Sequence, residues 1–405
     1  MKYAGKKILL GVTGGISAYK MAEAVRYFVK NGAEVRVIMT RSACEFITPL
    51  TIETLSNNKV TTEIFPGRDP LASEVTGTHH IDLAQWPDVF LIAPATGNII
   101  GKIANGIADD PLSTVAIASA APIVIAPAMN DKMWLNPIVQ KNVGTLKSYG
   151  YRFVDPEFGF LAEGYEGVGR LAELEKIYWS IDKVVIGSDI LKGKKILVTA
   201  GPTQEAWDAV RFLTNHSSGK MGYAVARQAS LMGAEVTLVS GPVNMMPPPD
   251  VVIENATSAE AMKIAVEKYF QTTDVLIMTA AVADYKPAAS AANKIKKQPG
   301  VTKIQIELEE TPDILASVSS KKNCQIIVGF AIETDNEIAN AKKKLEAKQL
   351  DFIVLNNPKE PGAGFHHDTN IVTLIDKNGN EKLPQMSKDE VAVKILEKIK
   401  TLLQK

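Results

Sequence analysis

Cysteine is nearly absent from this 405-residue chain: Cys44 and Cys324 stand alone and far apart. That excludes a disulfide framework and any zinc-ligand spacing. An excess of either charge is missing too, since 45 lysines and arginines balance 45 aspartates and glutamates. A broad nucleic-acid or membrane footprint is therefore not expected, and small-molecule chemistry is the better expectation. No run reaches the roughly 18 apolar residues of a membrane span. The basic opening MKYAGKKILLGVTGG turns to glycine after a short apolar stretch and reads as a first strand rather than a signal peptide, so a cytoplasmic protein is expected. Neither a Walker sequence nor G-x-G-x-x-G occurs.

What is present is apolar material, 46% of residues, in a length that suggests two or three domains. GKKILLGVTGGIS (Gly5 to Ser17) is echoed by GKKILVTAGPTQE (Gly193 to Glu205), and GAEVRVIMT (Gly32 to Thr40) by GAEVTLVSGP (Gly233 to Pro242). Each half thus opens as strand, turn, helix, strand. An α/β protein of two Rossmann-like domains, each a parallel-type sheet flanked by helices, is expected, with the boundary between Leu171 and Lys192 and the domains at 1–188 and 189–405. Whether the echo records duplication or shared physics stays open. The small and charged residues from Asp284 to Gly300 read as a mobile surface loop.

The stretch from His80 to Trp134 organises the first half. DVFLIAP (Asp88 to Pro94) and PIVIAP (Pro122 to Pro127) are apolar runs of strand length and read as buried parallel strands. Thr96, Gly97 and Asn98, then Met129, Asn130 and Asp131, would fall at their carboxyl ends, where open α/β sheets bind ligands. After the first strand, Gly14 to Ser17 precede a helical pattern, so backbone N–H groups and a helix dipole could meet a phosphate there. Met39-Thr40-Arg41-Ser42 offers no acidic residue for a ribose, which disfavours NAD.

GVTGGISAYK, MTRSACEFITPLT, the histidine before Ile81-Asp82-Leu83, APATGNI and PAMNDKMW together resemble the flavin-dependent cysteine decarboxylases, specifically the phosphopantothenoylcysteine decarboxylase half of the bifunctional coenzyme A biosynthesis enzymes. The resemblance implies a flavodoxin-like domain in which FMN oxidises the thiol-bearing carbon. Loss of CO2 then leaves electrons that sulfur can hold as an enethiolate, and hydride returns from the flavin. It further implies proton transfer by His80, with His79 beside it leaving the residues alone ambiguous, and a grip on the substrate carboxylate by Asn130. Gly14, Gly15, Ile16, Ser17, Thr40 and Ser42 would serve the flavin phosphate, Phe46 its ring, and Thr96 and Asn98 would also contact it. In FGFLAEGYEGVGR (Phe158 to Arg170) the family commonly carries a cysteine as proton donor where this chain has Glu163. Either Glu163, desolvated beneath the loop and so raised in pKa, takes over as acid, or it is a solvated loop charge.

In the second half, NHSSGKMG (Asn215 to Gly222), AAVADYKP, KIKK and GFAIET resemble the phosphopantothenate-cysteine ligase half of the same enzymes. The resemblance implies CTP as co-substrate, an acyl-cytidylate intermediate, and Mg2+ bridging phosphates, with the protein's metal ligands unknown. Lys294 would neutralise the triphosphate and Asn215 would polarise the acyl-cytidylate. Ala280, Asp284, Pro312, Asp313, Ile314, Phe330, Lys344 and Lys348 would contact the nucleotide. The implied enzyme ligates cysteine to 4'-phosphopantothenate and decarboxylates the product to 4'-phosphopantetheine, as a homo-oligomer with trimeric decarboxylase and dimeric ligase contacts, such as a dodecamer. Two alternatives stand beside it: a flavin decarboxylase that releases an enethiol, and a non-catalytic flavin-binding regulatory subunit.

Overall fold

The apolar run that opens each half forms a central strand of its own sheet. The computed structural model describes residues 1–64, 78–297, 299, 302–333, 335–357, 360, 364 and 367–404, and divides into two units, Met1–Gly187 and Ser188–Lys405. In the first unit, β1 (Lys7–Val12), β2 (Glu34–Met39), β3 (Val60–Thr61), β4 (Val89–Ala95), β5 (Ile123–Pro127) and β6 (Arg152–Phe153) make a parallel sheet. Its order, β3-β2-β1-β4-β5-β6, reverses direction between β1 and β4. Side chains alternate across this sheet, so that Ile8, Leu10 and Val12 join one core and Leu9 joins the other. Burial on both faces explains why β4 is apolar throughout.

The helical pattern after the first glycines begins as a 3-10 turn, Ile16–Lys20, and becomes α-helical only at Met21–Lys30. Gly32, at φ +93°, then lets the chain turn back into β2. The segment from Phe158 to Arg170, expected as a loop, is mostly an antiparallel hairpin of β7 (Glu157–Phe160) and β8 (Glu166–Arg170). Helix Leu174–Val185 follows it and precedes the division between units.

The second unit contains β9 (Lys195–Ala200), β10 (Gln204–Ala206), β11 (Phe212–Thr214), β12 (Glu235–Ser240), β13 (Val252–Asn255), β14 (Val275–Met278), β15 (Tyr285–Pro287) and β16 (Leu308–Glu310). It continues with β17 (Ile326–Ile332), β18 (Phe352–Asn356), β19 (Thr369–Asn370), β20 (Val372–Asp376), β21 (Gly379–Lys382) and β22 (Met386–Ser387). The main sheet runs β13-β12-β9-β14-β17-β18-β20-β21, parallel as far as β18 and then antiparallel. Its first six positions repeat the strand order of the first unit, again with a reversal beside the opening strand. Both sheets are the α/β architecture expected from the sequence, the second extended by two antiparallel strands.

The stretch beginning at Asp284 is more ordered than its composition suggests. Tyr285–Pro287 pairs with β16, and Ala291 bridges to Asp208. Gly300, and Thr334 at the end of GFAIET, lie outside the described residues. Among the described residues no helix is long and apolar enough to cross a membrane.

Candidate functional site

The carboxyl ends of β1 and β4 are joined by a residue that the sequence reading passed over. Thr13 is buried; its hydroxyl donates to the Pro94 carbonyl at 2.6 Å and accepts from the Thr96 N–H at 3.1 Å. Gly14 is pressed against Ser42, where a Cβ would collide, while nothing lies within 4 Å of a Cβ at Gly15. Thr40 continues from β2 by donating its N–H to the Val12 carbonyl at 3.0 Å. Gly14–Ser17 and Thr40–Ser42 therefore form adjoining turns at one sheet edge, with Ile16 and Phe46 exposed. The Thr96 hydroxyl accepts from the Ile99 N–H and caps helix Gly97–Ala104, leaving Asn98 exposed in its first turn.

Next to it, β5 delivers Asn130. Its Oδ1 accepts from the Lys132 N–H at 2.9 Å, and its Nδ2 donates to the Tyr165 hydroxyl at 2.8 Å. Tyr165 in turn donates to Asp131 Oδ1 at 2.6 Å, and that bond to a carboxylate leads the causes that raise its phenol above the usual range. Tyr165 reaches this position because β8 lies against the 129–131 segment: Met129 donates its N–H to the Gly169 carbonyl at 3.0 Å. A Cβ at Gly169 would collide with the Met129 carbonyl, and one at Gly167 would stand 2.9 Å from Asp131 Cβ. The glycines of GYEGVGR are thus a condition of contact. Gly169→Ala is expected to push the hairpin off Asn130 and lower decarboxylation at least about ten-fold, with ligation as the unaffected comparison.

The surroundings of Glu163 bear on the two alternatives left open for it. Leu161 is buried, and Gly164, at φ +89°, turns the chain so that Tyr165 points back to Asn130. Residues 162–164 are consequently exposed at the hairpin tip. Glu163 thus stands as a solvent-exposed loop charge in the single chain, the second of the two alternatives, while Leu161 occupies the inward position.

The two adjacent histidines differ. His79 Nε2 is 3.2 Å from the Thr61 hydroxyl, whereas His80 Nδ1 is buried and without a hydrogen-bond partner among the described residues. A buried ring nitrogen left unsatisfied is costly unless a ligand completes it. The open glycine turn, the exposed Ile16 and Phe46, and the unpartnered His80 nitrogen fit a flavin bearing a phosphate.

The second unit has a cavity of about 590 Å³ at the carboxyl ends of its parallel strands. It gathers Ala280, Asp284, Pro312, Asp313, Ile314, Phe330, Lys344 and Lys348 from four separate stretches. Asp313 caps helix Ile314–Ser319 and pairs with Lys348. Burial pushes its carboxyl up, but Lys348, the Ala316 N–H and Lys344 outweigh burial and hold it below the usual carboxylate range. Lys344 donates to the Phe330 carbonyl at 3.1 Å, and burial pushes its ammonium pKa down. Ser217 to Lys220, at the start of helix Lys220–Leu231, complete one wall.

Two residues expected here lie outside the lining. The Asn215 amide donates to the Ala281 carbonyl and accepts from the Ser217 N–H, and Lys294 is exposed. Lys388, Asn370 and Asn356 do line the cavity and were not foreseen. Asn356 Oδ1 is buried without a partner among the described residues.

Lys388 opens helix Lys388–Leu403, is buried, and donates to the Gly364 and His367 carbonyls. Burial first, then the charge of Lys220, lowers its pKa to about 8, against an opposing pull from Asp368. Because the folded value lies below the unfolded one, the unfolded chain binds more protons between them, and stability contributed by this site rises with pH from about 8 towards the ordinary lysine value. Lys388→Met is expected to flatten that rise in denaturant unfolding of the full chain across this window.

Residues 1–186 match the Flavoprotein family, and residues 191–403 match the DNA/pantothenate metabolism flavoprotein C-terminal domain. The chain is 47% identical over 401 residues to the coenzyme A biosynthesis bifunctional protein CoaBC of Bacillus subtilis (strain 168), covering 98% of this chain and 97% of that protein. It is 46% identical over 364 residues to a cysteine/cysteine sulfinic acid decarboxylase from an unknown prokaryotic organism, covering 88% of this chain and 99% of that protein. The crystal structure of the C-terminal domain of a CoaBC protein aligns with 54% of this chain and 99% of its own at 44% identity and a TM-score of 0.46. With both halves matched and a full-length relative at this identity, the chain belongs to the CoaBC family of bifunctional coenzyme A biosynthesis enzymes, which join a flavoprotein decarboxylase to a ligase.

Proposed function

We propose that the first unit decarboxylates 4'-phosphopantothenoylcysteine with FMN and that the second makes this substrate from 4'-phosphopantothenate, cysteine and CTP with Mg2+. The observations that carry the first half are the Asn130–Tyr165 contact at the end of β5 and, separately, the buried His80 nitrogen that has no hydrogen-bond partner among the described residues. FMN, when bound, supplies reversible oxidation of the thiol-bearing carbon. Gly14, Gly15, Ile16, Ser17, Thr40 and Ser42 hold its phosphate, and Phe46, Thr96 and Asn98 hold the rest. His80 manages the proton at the substrate thiol, and Asn130 orients the carboxylate so that the breaking bond is fixed. Glu163 donates the proton that accompanies reduction, desolvated by substrate or by a neighbouring subunit.

In the second unit, Lys344, Lys348 and Lys294 balance the triphosphate, while Asp313, Pro312, Ile314, Ala280, Asp284 and Phe330 hold the nucleotide. Asn215 polarises the acyl-cytidylate for attack by the cysteine amine. A carboxylate is a poor electrophile, and transfer to the α-phosphate supplies the leaving group. The site lies in a homo-oligomer of trimeric and dimeric contacts, and the protein is cytoplasmic.

The test supplies purified protein with phosphopantothenoylcysteine and identifies the product by mass. The saturated thiol is expected, from a yellow protein whose flavin is released as FMN. Accumulated enethiol with reduced flavin would instead establish the enethiol-releasing enzyme, and flavin without turnover the regulatory subunit. A second reading follows from the cysteine/cysteine sulfinic acid decarboxylase relative: CO2 from free cysteine without CTP would favour it.

A further inference from the structure

The turn from Trp207 to Arg211 closes the β10–β11 hairpin, and its hydrogen bonds reach a distant part of the chain. The Asp208 carboxylate has no exposed side-chain surface. Its Oδ1 accepts from the Val210 and Arg211 N–H groups, each at 2.8 Å. Its Oδ2 accepts from Arg211 Nε at 3.0 Å and Nη2 at 2.5 Å, and from the Ile295 N–H at 3.1 Å. Arg211 Nη2 also donates to the Ile295 carbonyl at 3.0 Å. One ion pair therefore holds both backbone polar groups of Ile295. Ala291 adds its N–H to the Trp207 carbonyl at 3.1 Å, and the Arg211 guanidinium lies 4.0 Å from the centre of the Trp207 ring.

An ordinary surface turn does not require a fully covered carboxylate, because burying a charge is expensive unless every lone pair is used. Here the bonds that use them include one to the residue that follows Lys294. The same turn leads through β11 into Asn215.

We propose that Asp208 is a positioning residue for ligation: with Arg211 it clamps the backbone at Ile295 and so fixes where Lys294 is presented to the triphosphate. This rests on the reading of Lys294 as the charge-neutralising group. The clamp acts on loop position and touches neither nucleotide nor cysteine, so its loss falls on the activation step that releases pyrophosphate. Decarboxylation in the first unit is the internal control for the amount of protein, and an unchanged KM for phosphopantothenate is the control for the fold of the second.

The experiment compares full-length Asp208→Asn, Ile295→Pro and Lys294→Gln with the parent protein. It measures pyrophosphate release, decarboxylation of supplied phosphopantothenoylcysteine, and the rate of tryptic cleavage after Lys296 and Lys297. Asp208→Asn is expected to lower kcat for pyrophosphate release at least about ten-fold with KM for phosphopantothenate nearly unchanged. Its cleavage rate should rise by about ten-fold, and decarboxylation should remain at the parent level. Ile295→Pro removes the N–H that Asp208 accepts without touching Asp208, while also fixing φ at 295 and restricting Lys294, and should reproduce the ligation defect, which guards against a general fault in Asp208→Asn. Lys294→Gln should lose pyrophosphate release while keeping the parent cleavage rate. Parent-like cleavage and ligation in Asp208→Asn or Ile295→Pro overturn the clamp. Undiminished pyrophosphate release in Lys294→Gln overturns the reading of Lys294, a separate failure.

Discussion

Replacing Lys344 with methionine is expected to reduce pyrophosphate release by roughly 100-fold, the scale on which removal of one preorganised charge from a reaction site is felt. Lys344 sits inside the cavity, with its ammonium on the Phe330 carbonyl. Burial opposes its charge, and Glu333, Asp284 and Asp313 restore part of it. An ammonium held in poor solvation has more to gain from a polyanion than one in water. Methionine keeps the length of the side chain and removes that gain. The loss should appear in ligation alone, with CO2 release from supplied phosphopantothenoylcysteine unchanged. A variant that ligates at the parent rate would place the triphosphate elsewhere.

Asn130→Leu is expected to lower decarboxylation by roughly 100-fold, since a hydrogen bond to a charged substrate group and its orientation are lost together. The Asn130 side chain joins the end of β5 to Tyr165, so leucine also removes that link, leaving the phenol and the Lys132 N–H to Asp131 alone. Flavin content, read from the visible absorbance of the purified variant, should be retained, because the glycine turn after β1 is untouched. CMP release in the ligase assay should likewise persist. Loss of flavin along with activity would show that Asn130 serves cofactor binding instead.

The strands were the most legible part of the chain, because burial on both faces of a parallel sheet demands apolar runs such as VFLIAPA and IVIAP, and the chain shows them. The turns after them were legible through glycine and capping residues. The hairpin from Glu157 to Arg170 was not, because Phe158 and Phe160 are exposed and the inward positions of β8 are glycines, which erases the usual alternation. Tyr165 carried no motif of its own; its meaning comes from Gly169 resting on Met129. Lys388 and Asn370 reach the cavity from the far end of the chain, Lys388 from what reads as an ordinary helix start and Asn370 from a two-residue strand. Asp208 would have needed a link to Ile295 that only folding supplies. Lys294 illustrates the converse, since its family position was plain while its place outside the cavity lining was not.

The most direct test is the stoichiometry of one reaction in which the purified yellow protein receives 4'-phosphopantothenate, cysteine, CTP and Mg2+. CMP and CO2 should then be released in equal amounts once the intermediate reaches steady state, and both should stop when CTP is withheld. CO2 that continues without CTP, or CMP that accumulates with no CO2, would contradict the assignment of two consecutive reactions to this chain.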